Sequence, residues 1–232
     1  AAAPGAVAAQ RRARPGGAGA MSPAAASGLR QMAAWATAPP PSARSDAPPR
    51  AAGICELCPI GIGEQHRHLL DLQQRRIVCV CETCWSLRSG DPQFRPPGTR
   101  TLWLKDFNLP DEVWAAFQIP IGLAFLMRSS VTGGVIALYP SPAGATESEL
   151  ELTAWDTLCA ANPVLDRLEP DAEALIVDRT SREHRYAIVG IDRCYALVGL
   201  VKERWSGITG GPGVSIAIAG FFEELRGRAG AP

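Results

Sequence analysis

Two Cys-x-x-Cys pairs, Cys55-Glu56-Leu57-Cys58 and Cys81-Glu82-Thr83-Cys84, stand 22 residues apart in a chain of 232. Within each pair the two sulfurs can converge on one ion about 2.3 Å away, and two such knuckles close a tetrahedral thiolate shell. Cys55, Cys58, Cys81 and Cys84 are therefore the candidate metal ligands. Zn2+ is the predicted ion, with Fe as the alternative at the same sulfurs. Rubredoxin-like iron knuckles typically continue with Gly so that the backbone turns its amides toward sulfur, but Pro59 and Trp85 follow the pairs here. Three more ligating side chains lie close in sequence. Cys79 would share a strand face with Cys81, and His66 and His68 would share one with each other. Whether Cys79, His66 or His68 replaces a cysteine stays open at this level. Four thiolates leave no position for water, so the expected role of the ion is structural and not catalytic.

The elements that must hold these sulfurs are short. His68–Leu72 and Arg75–Val78 read as strands joined by Gln73-Gln74, which gives residues 53–88 the knuckle, hairpin, knuckle order of a zinc-ribbon or treble-clef-like module. A Gly/Pro-rich linker over residues 89–100 follows, and residues 101–229 carry the periodicities of an α+β domain. Thr101–Leu104 reads as an edge strand, and Pro110-Asp111-Glu112 opens a short helix to Phe117. The apolar run from Ile119 to Arg128, the turn residues Ser129–Gly134 and the strand Val135–Tyr139 make a hairpin. Residues 139–148 read as a polar loop offering a surface to a partner, and Ser148-Glu149-Leu150-Glu151 matches a capping box opening a helix to Ala161. Ala174–Val177 and Tyr186–Val189 form a second hairpin. Asp192 caps a helix burying Cys194, Leu197, Val198 and Val201, and a last helix buries Ile218, Phe221, Phe222 and Leu225. Strand, strand, helix thus occurs twice, a weak sign of duplication. The expected fold class is α+β, with the small module followed by a largely antiparallel sheet of four or five strands and helices on one face.

Composition narrows the function. The chain is neutral, with 23 basic and 23 acidic residues. Residues 1–52 form an Ala/Pro/Arg-rich arm expected to be disordered, with one or two helical turns at 29–36. Within it, Arg11, Arg12 and Arg14 lack the apolar stretch of a secretory signal, and Met21-Ser22-Pro23 reads as a start of translation. Past residue 50 the chain holds 22 acidic against 17 basic side chains, a balance that does not favour phosphate backbones. No run of 18 apolar residues is present, so no membrane span is expected. Five cysteines clustered between residues 55 and 84 suit metal rather than disulfides, and a cytoplasmic location follows as the expectation. No Ser, His and acid set accompanies a nucleophile motif, Gly210–Gly213 lacks the strand that would introduce a dinucleotide loop, and His184 reads as solvated. The protein is not expected to be an enzyme.

Taken together, CELC, HRHLLDL, RRIVCVCETC, IPIGLAF, VIALYPSPAGATES, PVLDRLEPDAEALIV and IDRCYALVGLVKERW resemble one uncharacterised actinobacterial-type family, domain of unknown function 5947, across residues 28–228. Members of that family tend to be encoded in nickel-iron hydrogenase gene clusters. The resemblance implies partners among hydrogenase subunits or maturation factors and supplies no catalytic residue. Cys55, Cys58, Cys79, Cys81 and Cys84 match the family's cysteine pattern, whereas the Ala/Arg-rich leader departs from it. Three functions follow: a zinc-binding accessory or structural protein, a rubredoxin-like electron carrier with iron at the cysteines, or a nucleic-acid-binding zinc ribbon. The last rests only on Arg75-Arg76, His66-Arg67-His68 and the basic arm.

Overall fold

The computed structural model describes residues 53–148, 152–207 and 210–229. The arm over 1–52, its helix at 29–36, and Glu149–Glu151 of the expected capping box lie outside these residues. The larger body is an antiparallel sheet of six strands: β6 (Thr101–Trp103), β7 (Leu123–Arg128), β8 (Val135–Ser141), β9 (Gly144–Ser148), β10 (Glu173–Asp178) and β11 (Arg185–Gly190). They lie side by side in the order β6-β11-β10-β7-β8-β9. Both expected hairpins form, with Arg128 opposite Val135 and Asp178 opposite Arg185 at their turns.

Helices cover both faces of this sheet, not one. On the first face, α4 (Ile191–Arg204) and α5 (Gly211–Arg228) pack on Phe125, Met127, Leu138, Ile176 and Val189. On the opposite face, α2 (Asp111–Ala116), α3 (Leu152–Ala161) and the 3-10 turn Pro163–Arg167 cover Leu126, Ala137, Leu175, Val177 and Ile188. The physical reason is visible in the two central strands. Leu123–Met127 is buried at every residue, as is all of β10, and an unbroken apolar run is what a strand covered on both faces requires. Buried charges end β10: Glu173 accepts from Arg100 Nε at 2.9 Å, and Asp178 accepts from Arg185 Nε at 2.8 Å. Because α3 and α4 lie on opposite faces, no two-fold axis normal to the sheet relates the two strand-strand-helix units. The duplication reading fails on that geometry.

The segment 139–148, expected as a polar loop, instead holds the end of β8, a two-residue turn and β9, with Tyr139 opposite Thr146. β9 is an edge strand. Ser148 ends it, and its hydroxyl lies 3.1 Å from the carbonyl oxygens of both Phe117 and Gln118, to which it can donate. Glu147 on it pairs with Arg75 across the chain. Asp192 is not a cap: Gly190 occupies that place without a side-chain bond, and Asp192 lies in the first turn of α4.

The cysteine-bearing part is β1 (Gly53–Ile54), β2 (Gly61–Ile62), β3 (Arg67–Asp71), β4 (Arg76–Val80), α1 (Glu82–Arg88) and β5 (Phe94–Arg95). β4, β3 and β5 form a three-stranded sheet. The range read as a linker thus carries a strand, and Gly98 N donates to Ala172 O at 2.7 Å. Gly190 makes that passage feasible, because a Cβ on it would stand 2.0 Å from Gly98 O. One face of the β3–β4 hairpin belongs to the large core: Leu70 is buried within it, with Leu72 and Ile77 packed against it. Tyr195 of α4 also donates from its hydroxyl to Arg75 O.

Candidate metal centre

Local sequence explains how each knuckle forms. The first pair sits in the turn between β1 and β2, where Gly53 faces Ile62 and Cys55 N donates to Ile60 O at 2.8 Å. The second pair opens α1. Cys81 is its N-cap, in extended conformation, and its Sγ accepts from Cys84 N at 3.4 Å. A sulfur here takes the place usually given to Asp or Ser, satisfying a first-turn amide while facing the positive end of the helix. The order is knuckle, hairpin, helix, in keeping with the expected zinc-ribbon or treble-clef-like module. Outside the cluster, Arg67 lies over the Trp85 ring at 4.7 Å and bonds Glu82 at 2.9 Å, clamping α1 to β3.

The four sulfurs of Cys55, Cys58, Cys81 and Cys84 all lie within 4.8 Å of one another. Cys58 Sγ and Cys81 Sγ are 3.7 Å apart, close to the edge of about 3.8 Å that a tetrahedron with bonds of about 2.3 Å to sulfur must have. Cys81 N points at Cys55 Sγ at 3.3 Å. Burial pushes the Cys55 thiol up, but the amides of Cys81 and Leu57 and the thiols of Cys58 and Cys84 outweigh it and leave Cys55 at about 7. Cys84 is pushed up to about 12, first by Cys58, then by burial and by Cys81 and Cys55. A cation among them would stabilise several negative sulfurs so close together. The donor set therefore fits a metal ion that prefers sulfur, held in a shell closed by protein.

Cys79, His66 and His68 do not enter this cluster. Val78 and Val80 line it, with Leu69 from β3, and alternation along β4 turns Cys79 to the other face of the hairpin. There it gathers with His66 and His68 in a separate group. Burial pushes the His68 imidazole down, while Asp192 and then Cys79 more than reverse this and raise it to about 9. Asp192 was missed as a neighbour of His68 because the two are 124 residues apart. The pairing of His68 with Cys79 was legible: a hairpin turning on Gln73-Gln74 sets Leu72 against Arg75 and, four steps back, His68 against Cys79, as observed. Cys194 is fully buried and Cys159 half-buried, consistent with packing roles, and His184 is exposed.

A cleft with a volume near 650 Å³ lies elsewhere, lined by Leu102, Leu104, Phe107, Asn162 and Val164 among others. Among the described residues its lining includes no Cys, His or Ser. Among the described residues no helix is long and apolar enough to cross a membrane. Neither a curated protein nor a solved structure matches the chain. Residues 54–229 match the family of unknown function DUF5947, and the chain belongs to that family.

Proposed function

We propose that this DUF5947 protein is a zinc-binding, non-catalytic accessory or structural protein that acts by contact, and that the assembly it serves is a nickel-iron hydrogenase or its maturation factors. The carrying observation is the cluster of four sulfurs, mutually within 4.8 Å and met by backbone amides. Cys55, Cys58, Cys81 and Cys84 would hold the zinc. The ion would supply cross-linking of the two knuckles, since four protein ligands exclude the water that a catalytic zinc activates. Around it, Ile54, Ile60 and Leu87 expose apolar side chains, at 67, 53 and 74 %. Such residues beside a rigid knuckle suit docking better than chemistry. The hydrogenase link rests on the motif resemblance, and cysteines kept as free thiols suit a reducing, cytoplasmic compartment.

The first test is elemental analysis with an absorption spectrum. The expected result is colourless protein whose zinc is lost in the Cys58→Ser variant. Red-brown protein with iron at these cysteines would replace this reading with the electron carrier. The second test is co-expression with the hydrogenase subunits and maturation factors encoded in the same genome, followed by affinity capture. Retention of a hydrogenase component is expected, and retention of none would remove the accessory role.

A further inference from the structure

On the face of the hairpin turned away from the four sulfurs, His68 and Cys79 are direct cross-strand partners. His66, two residues before His68, joins them, its ring edge-on to that of His68 with centroids 4.8 Å apart. The ligating atoms of His66, His68 and Cys79 all lie within 4.8 Å of one another, and the two Nε2 atoms are 3.2 Å apart.

The outer nitrogens show how these rings are set. His66 Nδ1 is 2.8 Å from the Gly63 carbonyl oxygen. A carbonyl only accepts, so Nδ1 carries the proton and Nε2 presents its lone pair inward. His68 Nδ1 is 3.3 Å from Asp192 Oδ2, and an ionised carboxylate assigns the proton in the same way. Each ring is therefore held from behind by an oxygen acceptor, one carbonyl and one carboxylate, with its Nε2 aimed at the same point. That is the outer-shell arrangement that fixes metal-ligating histidines. One proton between the two nitrogens would satisfy them and set an imidazolium beside the Cys79 sulfur. A cation satisfies all three.

We propose that His66, His68 and Cys79 form a second metal site, distinct from the four-cysteine centre, for a borderline divalent transition ion such as Zn2+. Gly63 and Asp192 act as positioning groups. Two imidazoles and one thiolate match such an ion better than a hard, oxygen-seeking one. The site borders a cleft of about 350 Å³ whose lining includes His66, His68, Asp192 and Arg193. With three protein ligands, the fourth position falls to water or a small anion from that cleft. The two sites then differ in kind: the four-cysteine centre is closed and tight, and this one is open and exchangeable.

The experiment is native mass spectrometry of the full chain titrated with Zn2+, with Co2+ as the spectroscopic probe. Wild type should take two ions, the second at least 10-fold more weakly. His66→Ala and Cys79→Ser should each take one, while Cys58→Ser should lose the tight ion. Asp192→Asn should weaken the second ion by about 10- to 100-fold, as loss of an outer-shell partner does. The second equivalent of Co2+ should add less thiolate charge-transfer absorption than the first, from one sulfur instead of four. Thermal melts accompany each variant. If Cys79→Ser fails to fold, His66→Ala and the Co2+ titration decide. Wild type saturating at one ion, or a folded His66→Ala still holding two, would overturn the second site. Neither result touches the four-cysteine centre, which the Cys58→Ser arm tests separately.

Discussion

Among the described residues, five buried side chains, Cys55, Leu69, Val78, Val80 and Phe94, form the apolar centre on the sulfur side of the cysteine module, with partly buried residues such as Leu57, Ile62 and Trp85 around them, whereas the sheet side buries one cluster of twenty-one and another of fourteen. The sheet can meet the conformational entropy of its chain by burial on two faces. The module buries far less, and an ion held by its four sulfurs would supply the missing stability. Yet the two are not independent bodies. Leu70, one residue from Leu69, faces the large core instead. The β3–β4 hairpin is thus shared, giving one face to the metal centre and the other to α4.

The sharpest way to break this contrast is to strip the metal. With a strong chelator, or in Cys58→Ser, amide exchange over residues 53–66 and 81–95 should approach that of an open chain while β7, β10 and β11 stay protected. Hydrogen exchange read by mass spectrometry checks it. Simultaneous loss of protection in the sheet would mean that the two regions form one cooperative unit held by the ion.

Leu70→Ala and Leu69→Ala come next, since they empty opposite faces of one strand. Each deletes a side chain that is 1 % or less exposed, and each should cost about 2–5 kcal/mol. Leu70→Ala should lower the melting of the sheet domain, and Leu69→Ala should chiefly loosen the sulfur side. Equal effects on both regions, measured by denaturant unfolding with two probes, would erase the distinction. Gly190→Ala tests the seam itself. The added methyl meets Gly98 O, and the forced shift should cost about 1–3 kcal/mol.

The pH dependence is a smaller effect and sharpens the role of His68. In protein loaded only at the four cysteines, His68 holds its proton to about 9, chiefly because Asp192 and Cys79 outweigh burial, whereas an unfolded imidazole titrates near 6.5. A raised value in the folded state gives stability that is complete below about pH 6.5 and is lost as pH rises toward 9. Asp192→Asn should flatten that slope, read by thermal melts across pH 6–10 and by the imidazole proton shifts. The smallest expected effect is Glu147→Gln. It removes a partly exposed partner of Arg75 and should change stability by no more than about 1 kcal/mol.

Several of these features are legible in the amino-acid order itself. The cluster of four sulfurs is legible in the spacing, because a Cys-x-x-Cys knuckle is a local geometry and two of them suffice for a closed shell. The hairpins and the buried stripes of α4 and α5 follow from periods of two and of 3.6, which are also local. Coverage of both sheet faces is written in the unbroken runs Leu123–Met127 and Ala174–Val177, and reading strands as half-buried hides it. The segment 144–148 fails differently. Gly144-Ala145-Thr146-Glu147-Ser148 has little strand propensity, and it becomes β9 only because β8 offers it a ladder.

What the sequence by itself determined is therefore whatever depends on neighbours within a turn or a strand: the two cysteine knuckles, the hairpin that separates them, and the order of the helices. Tertiary structure alone decided what would stand behind His66, His68 and Cys79 on the other side of the hairpin. Asp192 reaches His68, Tyr195 reaches Arg75, and Glu147 reaches Arg75 across separations of 124, 120 and 72 residues. No period or motif encodes such distances. They arise when the apolar faces of the hairpin and of α4 exclude water from one another and bring the polar residues at their margins within bonding range.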